Sequence, residues 1–405
     1  MPDPLPAAGH VVIVGGGIMG AATAWHLARR HGATVTVCER DPAYARASSA
    51  LSACAIRQQF STAINIRVSQ ASLLVYRDLA GHLGLGDDAP ALGLVEPGYL
   101  YLARTAAGAA TLRDQVALQH TLGVPTALLE PDALRARFPW LATDDLTLGT
   151  LGVSTPTSGE GWFDGYAALQ AYRRAGGAAG VRYVAAEVTG FDTDRAAGGR
   201  RVRAARTAGG DRLPCDAVVI AAGAWSAPVA ATLDVPLPVR ARKRDVFAIE
   251  AAIALPDAPL LIDPTGVWCR PEAAPGRFLC GAPPRGDDAD DAPLHQVDHG
   301  LFDAVIWPAL AHRVPAFDAL RVHAAWAGYY EMNTVDHNGL VGALPGVANA
   351  FTACGFSGHG LQQAPAVAEA LAAHLVTGGW PSLDLTPLGV ERIAAGRPLL
   401  ERNVI

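Results

Sequence analysis

The sequence predicts an α/β chain in which one nucleotide-type domain is assembled from three pieces and a second domain is inserted between them. Three observations carry this reading. VVIV (11–14), a glycine turn, a helical stretch and VTVCER (35–40) form a βαβ unit at the start of the chain. CDAVVIAAGAWS (215–226) is a further buried strand running into glycine, and NAFTACGFSGHGLQQ (349–363) is a strand, a glycine turn and the start of a long helix. The stretches between them differ in character. The nucleotide-type domain is therefore placed at 1–83, 150–236 and 328–405, and the inserted domain at 84–149 and 237–327.

The elements follow in order. VVIV is a short unbroken apolar run, as suits a strand buried on both faces. The helical pattern ATAWHLARRHGA stops at Gly32, and a helix-rich stretch runs from about Thr62 to Leu83. GYLYLA (98–103) reads as a strand and TLRDQVALQHTLG (111–123) as a helix. The glycine-rich GVSTPTSGEGWFDG (152–165) leads into the amphipathic helix YAALQAYRRAG, then into the strands VRYVAAEVTGFD and RVRAARTA. Short strands, RDVFAIE, GVWCR and RFLCG, alternate with turns from 237 to 327. PPRGDDADDAP (283–293) is expected to be an exposed, mobile loop.

Composition narrows the function classes. At 405 residues the chain exceeds one ordinary core, and 50% hydrophobic against 17% charged residues describes a packed globular protein. A net charge of −6 gives no electrostatic case for nucleic acid or an anionic membrane. The basic clusters RARKR (240–244) and GGRRVR (198–203) are short enough to be solvated strands or turns. Six widely spaced cysteines without a C-x-x-C pattern read as buried thiols in a reducing compartment. MPDPLPAAGH lacks the basic and apolar regions of a signal peptide, and no apolar run approaches a membrane span. A cytoplasmic protein is expected.

The chemistry begins at Gly15-x-Gly17-x-x-Gly20. Gly15 permits the tight turn, Gly17 lets a pyrophosphate approach the backbone, and Gly20 lets the helix pack on the strand. The helix N-terminus supplies N–H donors and partial positive charge for phosphate. Glu39, at the end of the second strand, suits ribose hydroxyls and would repel a 2′-phosphate, which argues against NADP. Locally the motif fits FAD and NAD alike. The late turn CGFSGHGLQQ precedes a helix, so its N–H groups suit the negative charge of a reduced flavin. An ordinary strand-to-helix loop would share that local pattern.

CDAVVIAAGAWS resembles the strand that closes below the adenosine in flavoprotein oxidoreductases, and Glu187-Val188 resembles the segment whose backbone meets the adenine. SACAIRQQFS (52–61), RARKRDVF (240–247), the long stretch from WPALAHRVP to VDHNGLVG (307–342) and GFSGHGLQQAP (355–365) extend the likeness over the whole chain. The sequence resembles the D-amino-acid oxidase/sarcosine oxidase superfamily. The nearer likeness is to the group of mitochondrial FAD-dependent oxidoreductase domain-containing proteins linked to respiratory complex I assembly. The resemblance implies a Rossmann-like FAD-binding domain with an inserted α+β substrate domain whose mostly antiparallel sheet caps the flavin.

It further implies cofactor contacts from Ile18 and Met19 at the first turn and Arg40 beyond Glu39. Ser48, Ser49 and Ser52 are implied where the chain passes the pyrophosphate and flavin, with Ala222, Gly223 and Trp225 after the buried strand. Gly355, Phe356, Ser357, Gly358, His359, Gly360 and Leu361 would lie along the isoalloxazine. Arg57 matches the arginine that pairs with a substrate carboxylate, a chemically apt choice because guanidinium binds carboxylate through two parallel hydrogen bonds. A surface ion pair would account for an arginine there equally.

Three departures qualify the likeness. Tyr329 stands where covalent members carry the flavin-linked cysteine, so the FAD is expected to be non-covalent. Leu279 falls where a lysine promotes reaction with O2. Gln362 replaces a second carboxylate-binding lysine. Trp268 and Arg270 share a strand face by the period of two, as a pocket wall and a second guanidinium, although an edge-strand arginine in solvent fits that spacing too. His359 is a base or an orienting group for the loop, and Tyr329 is the aromatic expected nearest the substrate. The implied activity is oxidation of a primary or secondary amino acid to an imine by hydride transfer to flavin N5, with O2 or a quinone or carrier protein as acceptor. A non-catalytic, flavin-loaded assembly factor is the alternative.

Overall fold

The computed structural model describes residues 5–6, 8–196, 199–286 and 288–403. Residues 1–4 of the N-terminal stretch and residue 287 of the acidic loop therefore lie outside the described residues. Two sheets organise the chain. The first has six strands in the order Leu340–Ala343, Ala350–Cys354, Ala217–Ile220, His10–Val14, Thr34–Glu39 and Arg182–Ala185. All neighbours are parallel except the Leu340–Ala343 edge. This is the Rossmann-like sheet, and its centre, Val11 to Val14, is buried on both faces.

Helices Ile18–His31, Ala63–Arg77, Gly165–Ala178 and Gly360–Thr377 cover one face through Trp25, Leu27, Leu73, Tyr172 and Leu371. The other face is covered by a three-stranded antiparallel sheet (Val188–Ala196, Gly199–Thr207, Arg212–Pro214) and the helix Ser226–Ala231. The first helix ends at Gly32 in the left-handed region, where the glycine N–H caps the Leu27 carbonyl. The late helix tolerates Pro365 in its second turn for a visible reason. Proline cannot donate to the Leu361 carbonyl, and the Tyr76 hydroxyl does so instead at 2.6 Å.

The second sheet has eight strands in the order Arg321–Asn333, Val239–Glu250, Arg277–Gly281, Trp268–Pro271, Leu260–Ile262, Tyr99–Ala103, Leu148–Leu151 and Ala127–Leu129. Only the Leu260–Ile262 and Tyr99–Ala103 pair is parallel. Arg321–Asn333 runs unbroken across position 327/328, where the sequence placed a domain boundary, so residues on both sides of it belong to this sheet. Alternation gives the sheet two apolar faces. Leu100, Leu102, Leu261, Cys269, Phe247 and Ile249 pack outward against Leu134, Phe138, Phe302 and Leu310. Tyr99, Tyr101, Leu260, Ile262 and Trp268 face the first domain.

Part of the 283–293 loop is anchored. Asp288 pairs with Arg244, and Asp290 pairs with Arg240 and Arg242. All six cysteines are free, and all but Cys54 are buried. Among the described residues no helix is long and apolar enough to cross a membrane, and no His/Cys/Asp/Glu group could hold a metal.

Candidate active site

A cavity of about 840 Å³ runs between the two sheets, from the first glycine turn to the late one. At the first turn Gly15 has φ +101°, and a Cβ there would lie 2.4 Å from the Ala221 carbonyl oxygen. A Cβ on Gly20 would lie 2.0 Å from the Gly15 carbonyl oxygen, so the helix packs directly on its own turn. Gly20 does this without lining the cavity, whereas Gly15, Gly17, Ile18 and Met19 line it. Gly17 is the N-cap and has no side chain to cap the helix; Ser49 accepts the Ile18 N–H instead, at 3.1 Å.

Glu39 accepts the amides of Gly16 and Asp41, each at 2.8 Å, which leaves lone pairs on both oxygens for a ribose. Arg40 stacks on Trp225 at 4.0 Å and approaches Glu187 at 3.7 Å. Glu187, Val188, Ala222, Gly223 and Trp225 complete this end, and Ser48, Ser49 and Ser52 line the passage beyond it. Ser48 donates to the Tyr329 carbonyl at 2.6 Å, and Ser52 accepts the Cys54 amide at 3.0 Å.

The late turn is divided. Ser357, Gly358, His359, Gly360, Leu361 and Gln362 line the cavity. Gly355 and Phe356, expected along the flavin, stand behind it: Phe356 is fully buried, and the Gly355 amide donates to Glu331 at 3.0 Å. Ser357 (φ +51°) and Gly358 (φ +95°) both adopt left-handed backbone. The Ser357 hydroxyl accepts the Asn333 amide at 3.0 Å, and a Cβ on Gly358 would lie 2.4 Å from the Tyr330 ring. Asn333 is in turn fixed by Asp336, which pairs with Arg392 at 2.8 and 3.0 Å. Asn333, Asp336 and Asn338, all buried, thus form a polar knot that holds the turn from outside the cavity.

Arg57 lines the cavity but is already engaged. Its guanidinium donates to the carbonyls of Gln59 and Asn403 and lies 4.0 Å over the Phe60 ring. Two of its five donors are thereby used. Glu160 and Glu401 surround it with negative charge; Glu160 accepts the Gln58 and Gln59 amides, and Glu401 is tied to Ser61, Thr62 and Asn65. The C-terminal segment forms this wall, which the sequence reading did not foresee. Gln362 accepts the Arg57 amide at 2.9 Å, so it orients the arginine's backbone.

Two assignments change. Arg270 does not line the cavity: its guanidinium donates to the Ala53 and Pro271 carbonyls and to Glu272. Only Trp268 of that pair is a cavity wall. Tyr329 lines the cavity, but its hydroxyl donates to Ala292 at 2.8 Å and its ring packs edge-on to Trp225. Tyr330, on the opposite strand face, stands nearer the arginine end, against Gly358 and 5.1 Å beneath Arg244. The period of two decides this, since cross-strand pairing puts Tyr330 and Arg244 on one side.

His359 is buried edge-on to Phe60, and burial together with Arg57 holds its pKa well below the usual value. It is neutral at ordinary pH, and its Nε2 is buried without a partner. Glu331, not anticipated from the sequence, is a half-buried carboxylate on the cavity wall. Burial raises its pKa to about 7 against the opposing amides of Gly355 and Phe356. An acid within the aromatic and apolar strand GYYEM was the overlooked signal.

The donor set fits FAD on two observations. Amide-bearing glycine turns stand at both ends of one cavity, and buried polar atoms without partners, Tyr44 Oη and His359 Nε2, border those turns.

Residues 10–374 match the family described as DAO, FAD dependent oxidoreductase. The chain is 39% identical to FAD-dependent oxidoreductase domain-containing protein 1 of Xenopus laevis, over 99% of this chain and 85% of that protein. It is 28% identical to glycine oxidase of Geobacillus kaustophilus, over 94% and 96%. The solved structure of L-proline dehydrogenase from P.horikoshii superposes with a TM-score of 0.83 at 25% identity, covering 98% of this chain and all of that one. This chain belongs to the DAO family of FAD-dependent oxidoreductases.

Proposed function

We propose that this protein oxidises the C–N bond of a primary or secondary amino acid to an imine, with FAD as hydride acceptor. The observation that carries the reading is the change of wall along one cavity, from glycine amides at one end to Arg57, Tyr330, Trp268 and Tyr99 at the other. Arg57 supplies a buried cation for the substrate carboxylate. Trp268, Leu260, Ile262 and Tyr99 exclude water and favour the neutral amine, the form from which a hydride can leave the adjacent carbon. One N–H proton of the resulting iminium then leaves to solvent, and the imine hydrolyses. No strong side-chain base is required. His359, neutral and packed edge-on to Phe60, is not needed as a base.

When bound, FAD supplies the two-electron chemistry, and the chain's residues supply placement and charge. The relatives named for glycine and proline support an amino-acid donor. Anaerobic mixing of the yellow holoprotein with a panel of amino acids and amines tests this. At least one carboxylate-bearing amine should bleach the flavin, and Arg57→Ala should weaken its binding without loss of flavin. If nothing in a broad panel bleaches it, the catalytic reading fails and a flavin-loaded assembly role takes its place.

A second reading concerns the acceptor. Leu279 is a buried strand residue, and among the described residues no lysine lines the cavity. This favours a dehydrogenase that passes electrons to a quinone or carrier protein. Faster reoxidation by a quinone analogue than by air would support it.

A further inference from the structure

We propose that Arg244 is a second anion-binding position in the cavity, occupied in the resting protein by Asp288 of the same chain. On this view the preferred substrates are amino acids carrying a further carboxylate. The inference rests on the amino-acid reading above and names the substrate class within it.

Arg244 lies in the middle of the twelve-residue strand Val239–Glu250, paired with Gly328 across the sheet, and its side chain is 15% exposed on the cavity wall. Its two terminal nitrogens donate to the two oxygens of Asp288 at 2.8 and 2.9 Å, the parallel geometry with which guanidinium takes any carboxylate. Its Nε is buried and has no partner among the described residues. Tyr330 lies near both Arg244 and Arg57: burial raises the pKa of its phenol, and the two guanidiniums oppose that rise.

Apart from Arg57, the deeply buried arginines lie off the cavity. Arg313 pairs with the buried Asp263 and also with Asp145, 37% exposed. Arg392 pairs with the buried Asp336, and Arg270 binds backbone carbonyls and Glu272. Arg244 differs from these three in lining the cavity, where a partly exposed side chain from a connecting segment, 32% accessible, holds it. A strand fixes the cation while a loop supplies its counter-ion, so a substrate carboxylate can replace Asp288 without disturbing the sheet. Exchange of one carboxylate for another leaves the half-buried guanidinium paired throughout, which removes the cost of an uncompensated charge.

Glutarate and acetate test this on the holoprotein, read by the shift each causes in the flavin absorption band. Glutarate should bind more tightly than acetate. Arg244→Gln should weaken glutarate about tenfold and leave acetate within about twofold. Asp288→Asn should strengthen glutarate severalfold, because the internal competitor is gone. An unchanged glutarate-to-acetate ratio in Arg244→Gln overturns the proposal, as does an unchanged glutarate affinity in Asp288→Asn. If Arg244→Gln loses its flavin, Asp288→Asn alone decides. Neither probe contains nitrogen, so the titration reads the anion site whether or not any amine reduces the flavin. Bleaching by simple amino acids with no glutarate preference would sink this inference and spare the broader reading.

Discussion

The two ends of the cavity are made of different material. The phosphate-side end is backbone: Gly15 to Gly20, the end of the next strand at Glu39, and a serine that caps the helix from outside its own segment. The arginine-side end is side chain, drawn from residues 57, 99, 244, 268, 330 and 359 on separate segments. Backbone sites depend on close approach, so one added methyl group damages them. Side-chain sites depend on what holds each group, so their weak points lie a layer away.

Gly20→Val should give the largest effect. Its Cβ would meet the Gly15 carbonyl at 2.0 Å, a backbone clash that costs several kcal/mol and displaces the turn. We expect little soluble protein and no flavin per chain by absorbance. Gly17→Ala sharpens the contrast, since its Cβ would meet only Ser49 Oγ, at 3.4 Å. That variant should fold and yet retain flavin poorly; full occupancy after dialysis would show that Gly17 is not a close-approach position.

Asp336→Ala tests the far end from a distance. It strips Arg392 of its buried partner, a change worth roughly 3–5 kcal/mol. Thermal unfolding should fall accordingly, with flavin released early because the Asn333–Ser357 link loosens. An unchanged melting temperature would mean that the knot does not support the turn.

Glu331 gives a smaller effect with a sign. Its folded pKa of about 7 exceeds the ordinary 4.5, so the folded state binds more protons over that interval. Stability of the flavin-free protein should therefore be greatest below about pH 4.5, as far as this group is concerned. It should decline as pH rises through 7, by up to about 3 kcal/mol. Glu331→Gln should flatten that decline in melting temperature between pH 5 and 8, and an unaltered slope would assign the decline elsewhere.

The smallest effect separates two arginines. Arg57→Lys should weaken acetate binding about tenfold, since an ammonium cannot reproduce the planar fork. Arg270→Gln should leave acetate affinity alone and lower stability by about 1–3 kcal/mol, through the orphaned Ala53 carbonyl. Equal losses of affinity would restore Arg270 to the substrate wall.

The phosphate end was legible because its chemistry is written in consecutive residues. A strand, three glycines, a helix and an acid keep their meaning without the rest of the chain. The arginine end was legible only as residue types. Arg57 was singled out and lines the cavity, but the carbonyl of Asn403 that restrains it lies 346 residues away. The choice between Tyr329 and Tyr330 turned on strand register, where one step reverses the face. Arg270 and Arg244 look alike in a list of strand arginines; their partners, a fixed carbonyl and a loop carboxylate, distinguish them.

What the sequence alone determined is the first βαβ unit and the two glycine turns. Each follows from local sterics and periodicity, which act over a few residues. Tertiary structure alone decided which cavity guanidinium is paired with a loop carboxylate, which tyrosine stands against Gly358 and Arg244, and that Glu331 is half-buried beside the late turn. Charge and hydrogen bonding at those positions are set by neighbours far away in the chain, and a buried polar group takes its properties from whatever surrounds it.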